Sequence, residues 1–223
     1  MTDRGGRIAI AIDGPAASGK SSVARSLARR LGYLYVNSGA LYRGVTWYFL
    51  ERGVDASDSG AVCDLIDTME IVCGVDGGES TISIDGRDPG SHLSSEEVNG
   101  SVSGYAAIPE VRQALVAQLH AYGDLGDLVM EGRDIGSVVF PETPYKFYID
   151  ASEDVRNARR AREGLRDSIA ERDKLDSSRK TAPLTVPEGA EVIDSSEMTI
   201  EEVVDEIVGR LRGKGLEIGE EGG

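Results

Sequence analysis

A glycine-rich loop lies near the start of the chain, between an apolar run and a helical pattern. Residues 7–12, RIAIAI, have the short isoleucine-rich pattern of a buried parallel strand. The segment that follows, DGPAASGKSS, fits the motif GxxxxGK[ST] at Gly14, Gly19, Lys20 and Ser21. Apolar residues then recur at helical spacing in SVARSLARRLG, which ends in a glycine suited to stop a helix. The order of strand, loop and helix predicts an α/β fold with a parallel sheet.

The chemistry expected of such a loop is phosphate binding. Backbone N–H groups of the loop and of the helix N-terminus point at one place, where they satisfy phosphate oxygens. Lys20 is predicted to bridge the outer phosphates, and the Ser21 hydroxyl to bind Mg²⁺, the expected cofactor. The predicted ATP-binding residues are Gly14, Pro15, Ala16, Ala17, Ser18, Gly19, Lys20, Ser21 and Ser22.

Composition and charge limit the classes of protein to which this chain can belong. The 223 residues are 40% hydrophobic and 28% charged, which is typical of a soluble globular protein. The apolar runs are shorter than the roughly 18 residues of a membrane span, and the first residues lack the apolar core of a secretory signal, so we expect a cytoplasmic protein. A net charge of −15 argues against general attraction to nucleic acid. Cys63 and Cys73 are predicted to be reduced thiols.

The phosphate loop alone does not decide what happens to the γ-phosphate. A switch GTPase normally carries NKxD and DxxG segments, and this sequence has neither. A motor or assembly ATPase is usually longer and has a strand that ends in an acid, a condition that LVME at 128–131 partly meets. A small-molecule kinase needs a second anion-binding site for its acceptor.

Candidate residues for that second site follow the next predicted strand, YLYV at 33–36. Ser38 is predicted to be the N-cap of a helix that runs to about Glu51, with Tyr42 and Arg43 on its first turns. Ligands gather at the carboxyl ends of parallel strands, so Ser38 and Arg43 would face the same crevice as the phosphate loop. The alternative for Arg43 is an ordinary solvated helix residue.

A third predicted strand, DLVM, ends in the charged segment EGRD. Arg133 is interpreted as a phosphate clamp and Asp134 as a base-reading or orienting acid, with a salt-bridged turn as the alternative. Glu131 is predicted either to assist Mg²⁺ through a water molecule or to pair with a neighbouring arginine.

A helix predicted to begin near Ala151 carries one group of charged residues, and a second group follows farther along the chain. The first group shares one helical face and consists of Arg156, Arg159 and Arg160. Cations on one face repel one another unless an anion binds between them, so the face is a candidate anion site. The usual alternative is solvated surface charge. The second group recurs at i, i+4 and i+7 and consists of Arg172, Asp176 and Arg179, for which a structural ion pair is the alternative.

Four segments together resemble the bacterial cytidylate kinase family, the (d)CMP kinases among the nucleoside monophosphate kinases. They are IAIDGPAASGKSSVARSLARRLG, NSGALYRG, EGRDIGSVVFP and SSRKTAPL, and the resemblance covers roughly residues 7–210. It implies ATP-dependent, in-line phosphorylation of CMP and dCMP to CDP and dCDP. A monomer is expected, because it suits lobes that open and close in each cycle. The alternatives are a P-loop kinase of another acceptor, such as shikimate or dephospho-coenzyme A, and a regulatory ATPase without an acceptor.

The resemblance also implies roles for individual residues. Contacts to CMP are implied for Ser38, Tyr42, Arg43, Ser103, Arg112, Arg133, Asp134, Arg172, Asp176 and Arg179. Among these, Ser103, Arg112 and Asp134 would read cytosine, and Arg172 and Asp176 would lie around the pentose. The implied catalytic residues are Lys20, Arg133, Arg179, Arg156 and Arg160, the last two arriving from a closing lid.

Two positions depart from the family pattern. Asn37 stands where many members have an acidic residue, and only eleven residues separate Arg160 from Arg172, which makes the lid short.

The expected fold is a three-layer P-loop NTPase domain with a five-stranded parallel sheet, its strands near 7–12, 33–36, 127–131, 145–149 and 190–194. The predicted parts are a core at 7–68, 104–155 and 180–212, an NMP-binding insertion with a small antiparallel sheet at about 69–103, a lid at about 156–179 and a disordered tail at 213–223. Within the insertion, Gly77 and Gly78 are expected in a hairpin turn.

Overall fold

The computed structural model describes residues 7–162, 169–179 and 182–219, with the backbone alone described for 169–172. Its strands are β1 (Ala9–Asp13), β2 (Leu34–Asn37), β3 (Ile71–Asp76), β4 (Glu79–Ile84), β5 (Leu128–Gly132), β6 (Lys146–Asp150) and β7 (Glu191–Asp194). Its helices are α1 (Lys20–Leu31), α2 (Ser38–Glu51), α3 (Ser59–Thr68), α4 (Glu96–Tyr105), α5 (Pro109–Leu125), α6 (Glu153–Arg162), α7 (Ile169–Ser178) and α8 (Ile200–Gly213). Within this described part, no helix is both long and apolar enough to cross a bilayer.

Five parallel strands, in the order β2-β5-β1-β6-β7, form the centre of the sheet. The predicted five parallel strands are therefore confirmed. Strand β1 is apolar on both faces because helices cover both sides of a parallel sheet. Ile10 packs in the core on the side of α1 and α8, whereas Ala11 packs in the core on the side of α2 and α5. This arrangement is the predicted three-layer α/β fold.

The predicted hairpin is present, but it does not form a separate sheet. Gly77 and Gly78 have φ angles of 54° and 82°, the positive pair that a tight hairpin turn between β3 and β4 requires. Strand β4 then pairs in parallel with β2 at Tyr35 and Glu79, which gives one seven-stranded sheet. The predicted small antiparallel sheet is thus confirmed as the β3–β4 pair, and its attachment to β2 raises the strand count of the main sheet from five to seven. The hairpin satisfies backbone groups along β2 that would otherwise form an open edge.

The chain beyond α8 is ordered where the structure describes it. Leu216 is 7% exposed and packs among residues of α1 and α8, and its N–H donates to the carbonyl of Leu211. The prediction of a disordered tail is wrong for residues 213–219, because the apolar Leu216 caps the end of the core. Residues 220–223 lie outside the described part. Cys63 and Cys73 are free thiols, as predicted.

Candidate active site

The phosphate loop runs from the end of β1 to the start of α1. A Cβ atom on Gly14 would lie 2.1 Å from the carbonyl oxygen of Ile149, so only glycine lets the loop pass this close to β6. Gly19 is the N-cap of α1 with φ 90°, and among the described residues no side chain caps this helix. The first N–H groups of α1 are therefore available to an anion.

Lys20 and Ser21 meet Glu131 at the base of the loop. Ser21 Oγ donates to Glu131 Oε1 over 2.8 Å, and Lys20 Nζ lies 4.0 Å from Glu131 Oε2. Lys20 Nζ also donates to the carbonyl of Pro15 over 3.2 Å. Strand β5 brings Glu131 there because its register sets this residue opposite Ile12 of β1 and Asn37 of β2. A hydroxyl and a carboxylate oxygen, the donors that Mg²⁺ prefers, thus lie together beside the loop.

One cleft of about 310 Å³ opens from the phosphate loop toward α2, α4 and β5. It brings together most of the predicted acceptor residues: Ser38, Tyr42, Arg43, Ser103, Arg112, Arg133, Asp134, Asp176 and Arg179. The loop contributes Ala16, Ala17, Gly19, Lys20, Ser21 and Ser22 to the same lining, and α6 contributes Arg160. Donor and acceptor candidates therefore share one cleft.

Asp134 and Arg112 form a buried ion pair at the floor of the cleft, with the residues 5% and 4% exposed. Burial raises the pKa of the Asp134 carboxyl, and Arg112 opposes that shift. The Arg112 guanidinium also lies 5.5 Å from the centre of the Tyr42 ring. Tyr42 Oη is buried without a hydrogen-bond partner among the described residues, and burial raises its pKa to about 12. The floor thus offers a hydroxyl and a charged pair to a planar polar group.

Arg133 and Asp176 link helix α7 to the phosphate loop. Arg133 Nε donates to Asp176 Oδ2 over 2.9 Å, and Arg133 Nη1 donates to the carbonyl of Gly14 over 2.5 Å. Asp176 also accepts a hydrogen bond from Ser103 over 3.1 Å and one from Arg179. The alternative of a structural ion pair is therefore partly right, because these charges pair with one another while they line the cleft. Arg172 was predicted beside them, but its side chain lies outside the described residues.

The N-cap of α2 is Asn37 and not Ser38. Asn37 Oδ1 accepts from the Ala40 N–H over 2.9 Å, whereas Ser38 Oγ donates to the carbonyl of Glu131 over 2.7 Å. The prediction of a Ser38 cap is wrong because the neighbouring strand β5 takes its hydroxyl. Asn37 has a structural use here that needs no charge.

Arg43 lies in the cleft among like charges. Burial lowers the pKa of its guanidinium, Glu131 opposes that shift, and the nearby Arg133 and Arg160 add to it. A bound phosphate would neutralise this positive charge.

The predicted arginine face of α6 rests on the phosphate loop. Arg156 Nη1 donates to the carbonyl of Ala16 over 3.2 Å, and Arg159 Nη1 donates to that of Ser18 over 2.9 Å. The alternative of solvated surface charge is therefore wrong for this face. Arg160 lines the cleft, whereas Arg156 lines neither that cleft nor the second cavity within the described residues, and its direct catalytic role stays a prediction.

A second cavity of about 280 Å³ shares Ala17, Gly19 and Ser22 with the cleft. Its lining residues are Ala17, Ser18, Gly19, Ser22, Val23, Arg159, Arg162, Ser195, Met198, Thr199, Ile200 and Val203.

Three residues that hold the turn behind Asp134 or contact the loop and Ser38 were not predicted from the sequence. Asp13 accepts hydrogen bonds from the N–H groups of Ile135 and Gly136, at 2.7 and 2.8 Å, and so holds the turn behind Asp134. Gly132 lies against Ser38, and Asp173 contacts the phosphate loop. A carboxylate at the end of a buried strand was a visible signal for Asp13, whereas the other two depend on contacts between distant segments.

Comparison with known proteins shows what the chain resembles. Residues 10–212 match the family model described as cytidylate kinase. A cytidylate kinase of Clostridium botulinum is 40% identical over 211 residues, which cover 90% of this chain and 95% of that protein. A cytidylate kinase of Streptomyces avermitilis is 36% identical over 210 residues, which cover 90% of this chain and 91% of that protein.

A longer protein also matches. The bifunctional pantoate ligase/cytidylate kinase of Synechococcus sp. (strain CC9605) is 41% identical over an alignment 225 residues long, which covers 95% of this chain and 46% of that protein. The predicted resemblance is confirmed.

Proposed function

We propose, because the chain belongs to the cytidylate kinase family, that it transfers the γ-phosphoryl group of ATP to CMP and dCMP and so yields ADP with CDP or dCDP. The observation that carries this proposal is the single cleft in which the phosphate loop and the acceptor residues meet. The donor phosphates and the acceptor nucleotide can meet in such a cleft, which direct transfer requires.

The donor phosphates bind at the loop. Lys20 and the N–H groups of α1 hold them, while Ser21 and Glu131 would hold the Mg²⁺ that accompanies ATP. When bound, this ion neutralises charge on the phosphate oxygens. The second cavity adjoins the loop at Ala17 and Gly19 and is lined by none of the described acceptor residues, and so suits the donor nucleoside.

The acceptor phosphate binds among Arg43, Arg133 and Arg179, with Ser38 beside them. Burial lowers the pKa of the Arg179 guanidinium, and its Nε lacks a hydrogen-bond partner within the described part of the chain. An incoming phosphate oxygen would satisfy that group. The arginines then stabilise the charge spread over the transferring oxygens, without a covalent enzyme intermediate.

Base recognition is assigned to the cleft floor. The Arg112 and Asp134 pair can donate and accept hydrogen bonds on one edge of cytosine, and Ser103 adds a hydroxyl. Asp176, which Ser103 and Arg133 already contact, lies where the pentose of the acceptor would pass. Closure of the lid excludes water, which would otherwise accept the phosphoryl group.

Release of ADP, measured with CMP, dCMP, UMP, AMP, shikimate or no acceptor, tests the proposal. Turnover should be highest with CMP and dCMP and should vanish in Lys20→Ala, whose fold should persist. Lys214→Ala is the matched control, because Lys214 pairs with Glu191 away from both cavities. Turnover with shikimate alone, or equal ADP release without an acceptor, would overturn the assignment. We further propose that the enzyme acts as a cytoplasmic monomer on nucleotides alone, and sedimentation of the purified chain tests the oligomeric state.

A further inference from the structure

Asp173 of the lid helix α7 contacts the backbone of the phosphate loop. Its Oδ1 accepts a hydrogen bond from the Ala16 N–H over 2.9 Å, and its Oδ2 pairs with Arg156 Nη1. The same Arg156 nitrogen donates to the Ala16 carbonyl over 3.2 Å. An ion pair between α6 and α7 therefore holds both polar backbone groups of one loop residue.

The residue that follows needs such support. Ala17 has φ 56°, in the left-handed region that residues with a Cβ rarely adopt. The conformation of Ala17 sets the direction of the next N–H groups, which face the phosphate position at the start of α1. Contacts that fix Ala16 thus offset the cost of the strained residue beside it.

The same helix also reaches the acceptor side. Asp176 lies three residues after Asp173, about one helical turn, and contacts Ser103 and Arg133. One lid helix therefore contacts donor loop and acceptor residues through two carboxylates. Asp176 was predicted from the sequence, but Asp173 was not.

We propose that Asp173 is a positioning residue, which together with Arg156 locks the closed lid onto Ala16 and holds the loop in its phosphate-binding conformation. The proposal rests on the proposed function, since it assigns ATP as the occupant of the loop. Asp173 does not touch the reacting atoms. The negative charge of Asp173 beside the phosphates is tolerated because Arg156 neutralises it. The side chains of Asp173 and Arg156 are 17% and 14% exposed.

Hydrogen exchange of the nucleotide-free chain tests the lock directly. Peptides that contain the Ala16 amide should exchange at least about tenfold faster in Asp173→Ala than in the wild type, because the amide loses a charged acceptor. Asp173→Asn retains an acceptor oxygen but not the ion pair, so it should be intermediate. Asp205→Ala is the matched control, because Asp205 pairs with Arg30 between α1 and α8.

Binding of a non-hydrolysable ATP analogue with Mg²⁺ supplies the second readout. Asp173→Ala should raise the dissociation constant about tenfold or more. The second substitution Ala17→Gly should recover part of that loss, because glycine adopts a positive φ without strain. A purely structural role for Asp173 predicts no such rescue.

Two outcomes would overturn the proposal: unchanged exchange at Ala16, or analogue binding within about twofold of the wild type in folded Asp173→Ala. Neither measurement uses CMP. A wild type that bound the analogue but did not phosphorylate CMP would refute the proposed function and leave the lock supported.

Discussion

Ser21 donates a hydrogen bond of 2.8 Å to Glu131, a residue 110 positions later in the chain. The contact joins the phosphate loop to the carboxyl end of β5, and it sets a hydroxyl and a carboxylate oxygen side by side. Lys20 lies 4.0 Å from the other carboxylate oxygen, so the same acid also orients the loop lysine.

Glu131→Gln should raise the Mg²⁺ concentration that the reaction requires, without unfolding the chain. The amide still accepts from Ser21 but loses the charge that supports Mg²⁺, so the Mg²⁺ concentration for half-maximal rate should rise roughly 10- to 100-fold. Titration of Mg²⁺ at saturating ATP and CMP measures it. Glu206→Gln is the control, because Glu206 pairs with Arg210 on α8. An unchanged titration curve would restrict Glu131 to the orientation of Lys20.

Asp134→Ala should weaken the binding of the acceptor CMP more than the binding of the donor ATP. The substitution removes half of a buried ion pair, so stability should fall by about 3–5 kcal/mol, and KM for CMP should rise far more than KM for ATP. Kinetics are measured below the melting temperature of the variant.

The double variant Arg112→Met/Asp134→Leu separates stability from recognition. Removal of both charges should restore most of the stability, since no unpaired buried charge remains, while turnover of CMP stays low. Recovery of CMP turnover together with stability would show that the pair serves only the fold.

Asp13 should make stability depend on pH. It is fully buried, and burial raises its pKa from 3.8 to about 7, although the N–H groups of Ile135 and Gly136 oppose the shift. The folded state therefore holds a proton that the unfolded state has lost between these pH values. Stability due to this group is greatest below pH 3.8 and is lost as the pH rises to about 7, by at most about 1.4 kcal/mol per pH unit.

Urea unfolding of the wild type and Asp13→Asn at several pH values between 4.5 and 8 isolates this effect. The amide does not titrate, so the stability advantage of the wild type should shrink as the pH rises. Groups common to both proteins cancel in the comparison. A difference that is constant with pH would show that Asp13 is already ionised throughout the range.

Local patterns predicted the parallel strands and the phosphate loop because strand β1, the glycines and α1 follow one another along the chain. The hydrogen-bonding role of Ser38 could not be predicted from such local patterns. Ser38 and Asn37 are both good N-cap residues, and only the contact with β5 decides between them. The attachment of β4 to β2 and the contact of Asp173 with Ala16 likewise join distant segments, so no spacing in the sequence signals them.

Gly132→Ala should disable the acceptor site from within the motif EGRD. A Cβ atom there would lie 2.4 Å from Ser38 Oγ and 2.7 Å from Ile135 Cδ1, so both must move. We expect a stability loss of about 1–3 kcal/mol and a large rise in KM for CMP. Gly209→Ala in α8 meets nothing within 4 Å and should instead stabilise the chain by roughly 0.5–1 kcal/mol. Normal CMP kinetics in Gly132→Ala would mean that Ser38 can shift without loss of acceptor binding, and would remove Ser38 from the proposed phosphate contacts.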